Sequence, residues 1–189
     1  MAQGDLAGAR QASGASHAIF ERLAAPDPGN GERQRDLSVS HNKIGDVRRA
    51  QGDLSGALRA YEADLQIAER LAAADPGNAR WQRNLAQSHC FVGMVLQARG
   101  DLARALHEYE AYRHTMQHLA ASDPTDAEWQ RDLAVSCYQL AQAAKEAGDA
   151  RRAMHYLLEC REVLRGMRAK GMHLDPAVTA VLAQLERPG

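Results

Sequence analysis

Aromatic side chains are scarce in this sequence, at 5% against 45% hydrophobic residues overall. A β-sandwich draws on aromatic and β-branched residues, so this alanine-rich mixture suits closely packed helices instead. An excess of charge is missing as well: 23 basic and 24 acidic residues leave a net charge of -1. No overall field therefore draws the chain to nucleic acid or to an anionic membrane. Long apolar runs are absent; none approaches the roughly 18 residues that span a bilayer. The opening "MAQGDLAGAR" has no apolar core of the kind a secretion signal carries. Three cysteines is a sparse, odd count that fits reduced thiols better than a disulfide framework. The expectation is a soluble helical protein of the cytoplasm.

What the sequence does have is repetition. Gln3 to Arg10 reads "QGDLAGAR", Gln51 to Glu62 "QGDLSGALRAYE", Arg99 to Glu110 "RGDLARALHEYE", and Ala147 to Ala153 "AGDARRA". The Gly-Asp pairs fall at 4–5, 52–53, 100–101 and 148–149, each 48 residues after the last. A second phrase keeps that register: "DPGNGERQRDLSVSH" from Asp27, "DPGNARWQRNLAQSH" from Asp75 and "DPTDAEWQRDLAVSC" from Asp123. A fixed period of this size marks a solenoid, in which each unit hides its apolar face only against its neighbours.

Each unit divides into two helices. Asn30, Asn78 and Asp126 suit the N-cap of the first, where a short side chain accepts from free backbone N–H groups. The first helix is expected to run to about residues 50, 98 and 146, where Gly52, Gly100 or Gly148 supplies a left-handed turn. Asp53, Asp101 and Asp149 then cap the second, which ends before Asp75-Pro76 or Asp123-Pro124. Apolar spacing agrees. Leu102, Ala105, Leu106, Tyr109, Tyr112, Met116 and Leu119 share one helical face, as do Leu54, Ala57, Leu58, Tyr61, Leu65, Ala68 and Leu71 one unit earlier. In the first helices, Leu37, Ile44 and Val47 correspond to Leu85, Val92 and Val95, then to Leu133, Leu140 and Ala143. Gly45 and Gly93 sit mid-helix, where glycine costs roughly 1 kcal/mol relative to alanine. The expected reason is a close approach of two helix backbones.

A small residue within the first helix (Gly45, Gly93), Gly-Asp at the corner, Ala57 or Ala105 followed by Tyr61 or Tyr109, and a closing Asp-Pro together resemble the tetratricopeptide repeat family. The family's unit of about 34 residues is shorter than this one, so the resemblance is to a long-helix variant with a 48-residue unit. It covers about residues 4 to 170. It departs at Ala141 and Leu157, which replace the glycine and the tyrosine, and at Ser13 with Gly14, which replace the aromatic of the first copy. It implies an all-α, right-handed solenoid of antiparallel helix pairs whose concave face binds peptides or proteins.

The expected organisation is an unpaired second helix over 3–28, repeats over 29–76, 77–124 and 125–172, and a C-terminal capping helix with its tail over 173–189. The chain opens in mid-unit, and "QASGASHA" is a poor helix former; the reading favoured is a piece cut from a longer array. After Lys170 the register slips by four residues to Asp175-Pro176. The following "AVTAVLAQLE" then places Val178, Val181, Leu182 and Leu185 on one face.

No catalytic residues are expected, because no phosphate loop, nucleophile elbow or His-Glu-x-x-His pair occurs. No cofactor or metal is expected either. His114 and His118 are four apart on one helix but have no third ligand in sequence reach. His41, His89 and Cys137 are equivalent positions, yet stacked helices lie about 8–10 Å apart, too far to share one zinc, and packing accounts for them better. The candidate partner-binding strip lies on the first helices, away from the second: Arg35, Asn42, Asp46 and Arg49; Arg83, Gln87, Cys90, Met94 and Gln97; Arg131, Tyr138, Gln142 and Lys145. Val39 and Val135 belong to the same strip. It mixes apolar anchors with amides that can bond an extended backbone. The arginines that recur in every unit would grip carboxylates, although salt bridges to Asp36 or Asp132 explain them more simply. The last long helix carries Arg151, Arg152, Arg161, Arg165, Arg168 and Lys170, and an ordinary solvated face suits these better than an acidic partner.

The function these features point to is a non-catalytic protein-interaction module, the sensor or adaptor part of a larger protein, that binds a peptide or partner domain in its groove. The alternative is a self-associating scaffold, a homo-oligomer paired through its end helices. Nucleic-acid binding and a membrane role are disfavoured by the charge balance and the absence of an apolar span.

Overall fold

The computed structural model describes residues 3–27 and 29–186, and among them it contains eight α-helices and no strand. Pro28 and the 187–189 end of the expected C-terminal segment lie outside the described residues. The chain divides into two compact units, 1–101 and 102–189. The first holds α1 (Gln3–Ala24), α2 (Gly31–Ala50), α3 (Leu54–Ala74) and α4 (Ala79–Ala98). The second holds α5 (Leu102–Ser122), α6 (Ala127–Glu146), α7 (Ala150–Ala169) and α8 (Pro176–Leu185). Inside each unit the substantial packing joins helices consecutive in sequence: α1 on α2, α2 on α3 and α3 on α4, then α5 on α6, α6 on α7 and α7 on α8. Such neighbour-on-neighbour burial is the arrangement of an α-solenoid.

The recurring Gly-Asp corner has a specific job. Gly52 and Gly148 adopt φ of +79° and +80°, a backbone region in which only glycine is unstrained. The amide of Gly52 then reaches the Arg49 carbonyl and that of Asp53 the Arg48 carbonyl, at 3.0 and 2.9 Å. These two bonds form a Schellman closure of α2. The Asp53 side chain turns forward and accepts from the Gly56 amide at 2.8 Å, opening α3. Gly148 and Asp149 repeat this between α6 and α7, with Asp149 accepting from the Arg152 amide at 2.9 Å. One dipeptide ends one helix and starts the next.

The opposite corners are closed by the second phrase. Asn30, Asn78 and Asp126 each cap the following helix, accepting from the amides of Arg33, Trp81 and Trp129 respectively. The glutamine of "WQR" adds a link the spacing did not reveal. Gln82 donates to the Ala72 and Pro76 carbonyls, each at 3.3 Å, and Gln130 to the Ala120 carbonyl at 3.0 Å. The last carbonyls of a helix have no intrahelical donor, so these amides fasten each first helix to the end of the helix before it.

Burial follows the expected face on α5 and departs from it on α3 and α2. On α3 the buried side takes in Asp64, while Leu65 is only half-buried. Residues three and four beyond Tyr61 are both compatible with a helical stripe, and the packing selects the former, aligned with Tyr112 and Cys160 of the other repeats. Leu37, Ile44 and Val47 of α2 are likewise half-buried, and the buried set of that helix is Gln34, Ser38, Ser40 and Gly45. Despite its weak helix formers, α1 is continuous over 22 residues. Its contact with α2, including buried Ala24, replaces what propensity lacks.

Gly45 faces a side chain and not a second backbone as expected. A methyl group there would lie 2.4 Å from the ring of Tyr61, which is buried and stacked on Phe91 with centroids 5.3 Å apart. The third copy changes both positions together, to Ala141 and Leu157. Gly45→Ala should therefore lower stability by about 1–3 kcal/mol despite the better helix propensity, as read from urea denaturation. Equal or higher stability would show that the ring has room to move.

Candidate functional site

In the first unit the candidate strip lies on α2 and α4. None of Arg35, Val39, Asn42, Asp46 and Arg49, nor of Arg83, Gln87, Cys90, Met94 and Gln97, is fully buried. Two of them are engaged in holding the fold. The Tyr61 hydroxyl donates to Asp46 Oδ1 at 2.7 Å, and Arg49 stands 3.8 Å from the same oxygen. Burial, then the hydrogen bond to this carboxylate, pushes the Tyr61 hydroxyl above its ordinary pKa. Cys90 and Met94 meet sulfur to sulfur at 4.0 Å, a soft apolar spot one turn long. Arg35 reaches Asp36 at 3.7 Å, too long for a bidentate pair.

In the second unit α6 carries Arg131, Val135, Tyr138, Gln142 and Lys145, all half-buried or exposed. Three of them line a cavity of about 140 Å³, together with Ala134, Cys160 and Leu164 and with Val178 and Val181 of α8. The wall contributed by α8 is new: the apolar face of "AVTAVLAQLE" announced a cap, and the cap also completes an opening. Arg131 stands at this cavity with its side chain 44% exposed and 3.7 Å from Asp132. The thiols nearby are poor nucleophiles. Burial pushes Cys137 up to about 12 and Cys160 up to about 11, so neither is a thiolate at neutral pH.

Most of the basic side chains of α7 are occupied within the unit. Arg152 pairs with Glu110, which also accepts from the Tyr156 hydroxyl at 3.1 Å. Arg165 and Arg168 converge on Glu186, each at 2.9 Å, and hold its carboxyl down at about 2. Arg161 lies 3.4 Å from Glu162, and Lys170 donates to the Pro124 carbonyl at 3.0 Å. Arg113 joins α5 to α7 through Glu159 at 2.7 Å. The α7 cations thus join elements of the fold more than they face an acidic partner.

The histidines are scattered. His114 and His118 are exposed, with Nε2 atoms 3.2 Å apart. His41 meets His17 of α1 edge to face at 4.4 Å, and His17 also bonds Ser40 at 2.8 Å. Burial, then the neighbouring His17, holds His41 below its ordinary pKa, against a smaller opposing pull from Glu21. Among the described residues no three His, Cys, Asp or Glu side chains cluster closely enough for a metal ion.

The sequence reading passed over Asp64. It is 0% exposed, accepts from the Ser38 hydroxyl, and its second oxygen has no partner. Burial raises its pKa, against a smaller opposing effect of the neighbouring polar side chains of Ser38, Ser88 and Asn42. A signal was available, since an acid stands where the other repeats have Tyr112 and Cys160. The sign of the linkage follows. In the unfolded chain the acid ionises from about its ordinary 3.8, but the folded chain resists ionisation until a higher pH. Stability is therefore fully present below about 3.8 and is lost as pH rises from there through the folded pKa. Asp64→Asn should gain about 1–3 kcal/mol at neutral pH, the scale of an unsatisfied buried group, and almost nothing near pH 3. Denaturation across a pH series checks this, and a gain independent of pH would contradict it.

No family model and no curated protein matches the chain. Solved structures similar to it include the MamA protein, at 15% identity and a TM-score of 0.34, covering 74% of this chain and 98% of that one. BtubC (BKLC) from P. vanneervenii is similar at 15% identity and a TM-score of 0.31, over 90% and 94% of the two chains. The DHF79 filament is similar at 16% identity and a TM-score of 0.40, over 96% and 98%. These scores carry no argument about this chain's arrangement or activity. No described helix is long and apolar enough to cross a membrane.

Proposed function

We propose that this chain is a non-catalytic interaction module of the tetratricopeptide-like kind, the sensor or adaptor part of a larger protein, which binds a peptide or partner domain along the outward faces of its first helices. The observation that carries the reading is the opening that α6 lines together with α7 and α8. Val135 and Tyr138 supply apolar wall and Arg131 a charge beside the cavity of about 140 Å³. A preformed apolar pocket with a few polar groups is the usual form of a recognition site. The half-buried amides Gln87, Gln97 and Gln142, with the sulfur pair Cys90 and Met94, add contacts suited to an extended chain. Nothing in this set is a nucleophile and base in partnership, and the two buried thiols are held neutral.

A second reading, self-association, is favoured by one feature. Ile19 and Leu23, four apart on α1, are 54% and 51% exposed. Two such side chains on an end helix suit pairing with another copy.

Two measurements on the same protein test the two readings. Random peptides displayed on phage are selected against the full chain, and binders are re-measured on Tyr138→Ala and Met94→Ala. Affinity should fall at least about tenfold, or 1.4 kcal/mol, on one or both variants. Binders indifferent to both would contradict the groove. Light scattering of the same protein over a concentration series reports on the second reading, which a monomer at every concentration would remove.

A further inference from the structure

The cavity that α6, α7 and α8 line is apolar and has a definite size. Ala134 and Val135 of α6, Cys160 and Leu164 of α7 and Val178 and Val181 of α8 bound about 140 Å³, with the half-buried Tyr138 ring beside them. The repeat register shows where the room comes from. Tyr112 and Met116, both buried, hold in α5 the places of Cys160 and Leu164. The third repeat gives up a phenol ring for a thiol there, and α8 walls the space without filling it. Its first helix changes as well, with Val135 where α4 has Gln87 and Tyr138 where α4 has Cys90. The α8 wall is fixed in place. Leu182 is buried, and Glu186 just beyond the helix is held by Arg165 and Arg168 of α7, each at 2.9 Å. An apolar recess of about 150 Å³ holds water poorly and accepts a benzene ring.

We propose that this cavity is a subsite for the phenyl ring of a phenylalanine on the bound peptide, with an acidic residue beside that phenylalanine held by Arg131. The ring matches the volume. It can meet the Tyr138 ring in an offset or edge-on pair and the Cys160 sulfur in a soft contact. Burial pushes the Cys160 thiol up to about 11, so it stays neutral and suits apolar contact. An indole is larger than a phenyl ring, and its N–H, like a phenol O–H, wants an acceptor. The wall side chains offer only that weak sulfur. The charge at the edge is Arg131, exposed and 3.7 Å from Asp132, a contact longer than a hydrogen bond. Its N–H groups can therefore turn to a carboxylate of the partner. The subsite deepens the peptide-binding reading and rests on it for the carrier of the ring.

The test is an NMR titration of methyl-labelled full chain with acetyl-Glu-Phe-Glu-amide. The comparison probes carry Trp or Ala in place of Phe, or Gln in place of both Glu, and phenylacetate is the free-acid control. The Phe peptide should give saturable shifts at the methyl groups of Leu164, Val178 and Val181. The Trp and Ala peptides should bind at least about tenfold more weakly. The Gln peptide should bind about two- to fivefold more weakly, the scale of an exposed ion pair. Arg131→Gln, at an exposed position, should erase the preference for Glu over Gln and keep that for Phe over Ala. Cys160→Tyr, which puts back the ring that α5 carries at Tyr112, should abolish the shifts. Val135→Gln, at a half-buried position, should weaken binding at least about fivefold and covers the case in which Cys160→Tyr misfolds. No saturable shift at those methyls, equal binding of the Trp or Ala peptide, or an undiminished response in Cys160→Tyr or Val135→Gln overturns the subsite. An unchanged preference for Glu in Arg131→Gln overturns the acidic neighbour, and phenylacetate bound more tightly than the Phe peptide overturns the peptide carrier. Phage-selected binders lost on Tyr138→Ala while the Phe peptide fails would sink this inference alone. The Phe peptide seated in the cavity, with no selected binder dependent on Tyr138 or Met94, would sink only the groove.

Discussion

Within each unit a helix hides its apolar side against its neighbours in sequence, and the rest of the structure answers to that constraint. Each helix must turn back sharply, so a residue tolerant of left-handed backbone has to stand at the corner, at Gly52 and again at Gly148. Each new helix must begin at once, so the next residue must cap it, as Asp53 and Asp149 do. The other corner is longer and is secured differently, by a cap on Asn78 or Asp126 and by Gln82 or Gln130 bonding carbonyls at the end of the preceding helix. Two phrases in one register are what two kinds of corner require.

Within that frame the units spend their interiors differently. The second unit is packed by Tyr109, Met116, Leu140 and Leu164, and its thiols are sealed in. The first unit gives α2 a buried face of Gln34, Ser38 and Ser40 and sets Asp64 against it. Hydrogen bonds replace apolar area there at lower net return.

The helix ends were legible because capping chemistry is local: an Asn after Asp-Pro and a Gly before Asp specify a boundary without knowledge of what packs nearby. The core was legible where apolar residues recur at matching places, as at Ala57 and Ala105. It failed at Asp64, since a stripe read by hydrophobicity steps aside to Leu65 when the true position holds an acid. The role of Gly45 was half legible. Its cost implied a close neighbour, but the Tyr61 ring could be identified only from the packing of α3 on α2. The strip on the first helices followed from periodicity, whereas the cavity beside Tyr138 did not, because it depends on how α8 settles after the register slips. The engagement of Asp46 with Tyr61 was invisible for a similar reason, being a contact between helices with no counterpart in local spacing.

The claim at the centre of this account is that, within each unit, burial runs between consecutive helices and nowhere else in bulk. Methyl-labelled protein examined by nuclear Overhauser spectroscopy tests it directly within residues 1–101. The account predicts strong connectivities from α1 to α2, from α2 to α3 and from α3 to α4, with none joining α1 to α4. A dense set of contacts between α1 and α4, closing the four helices into a bundle, would contradict it.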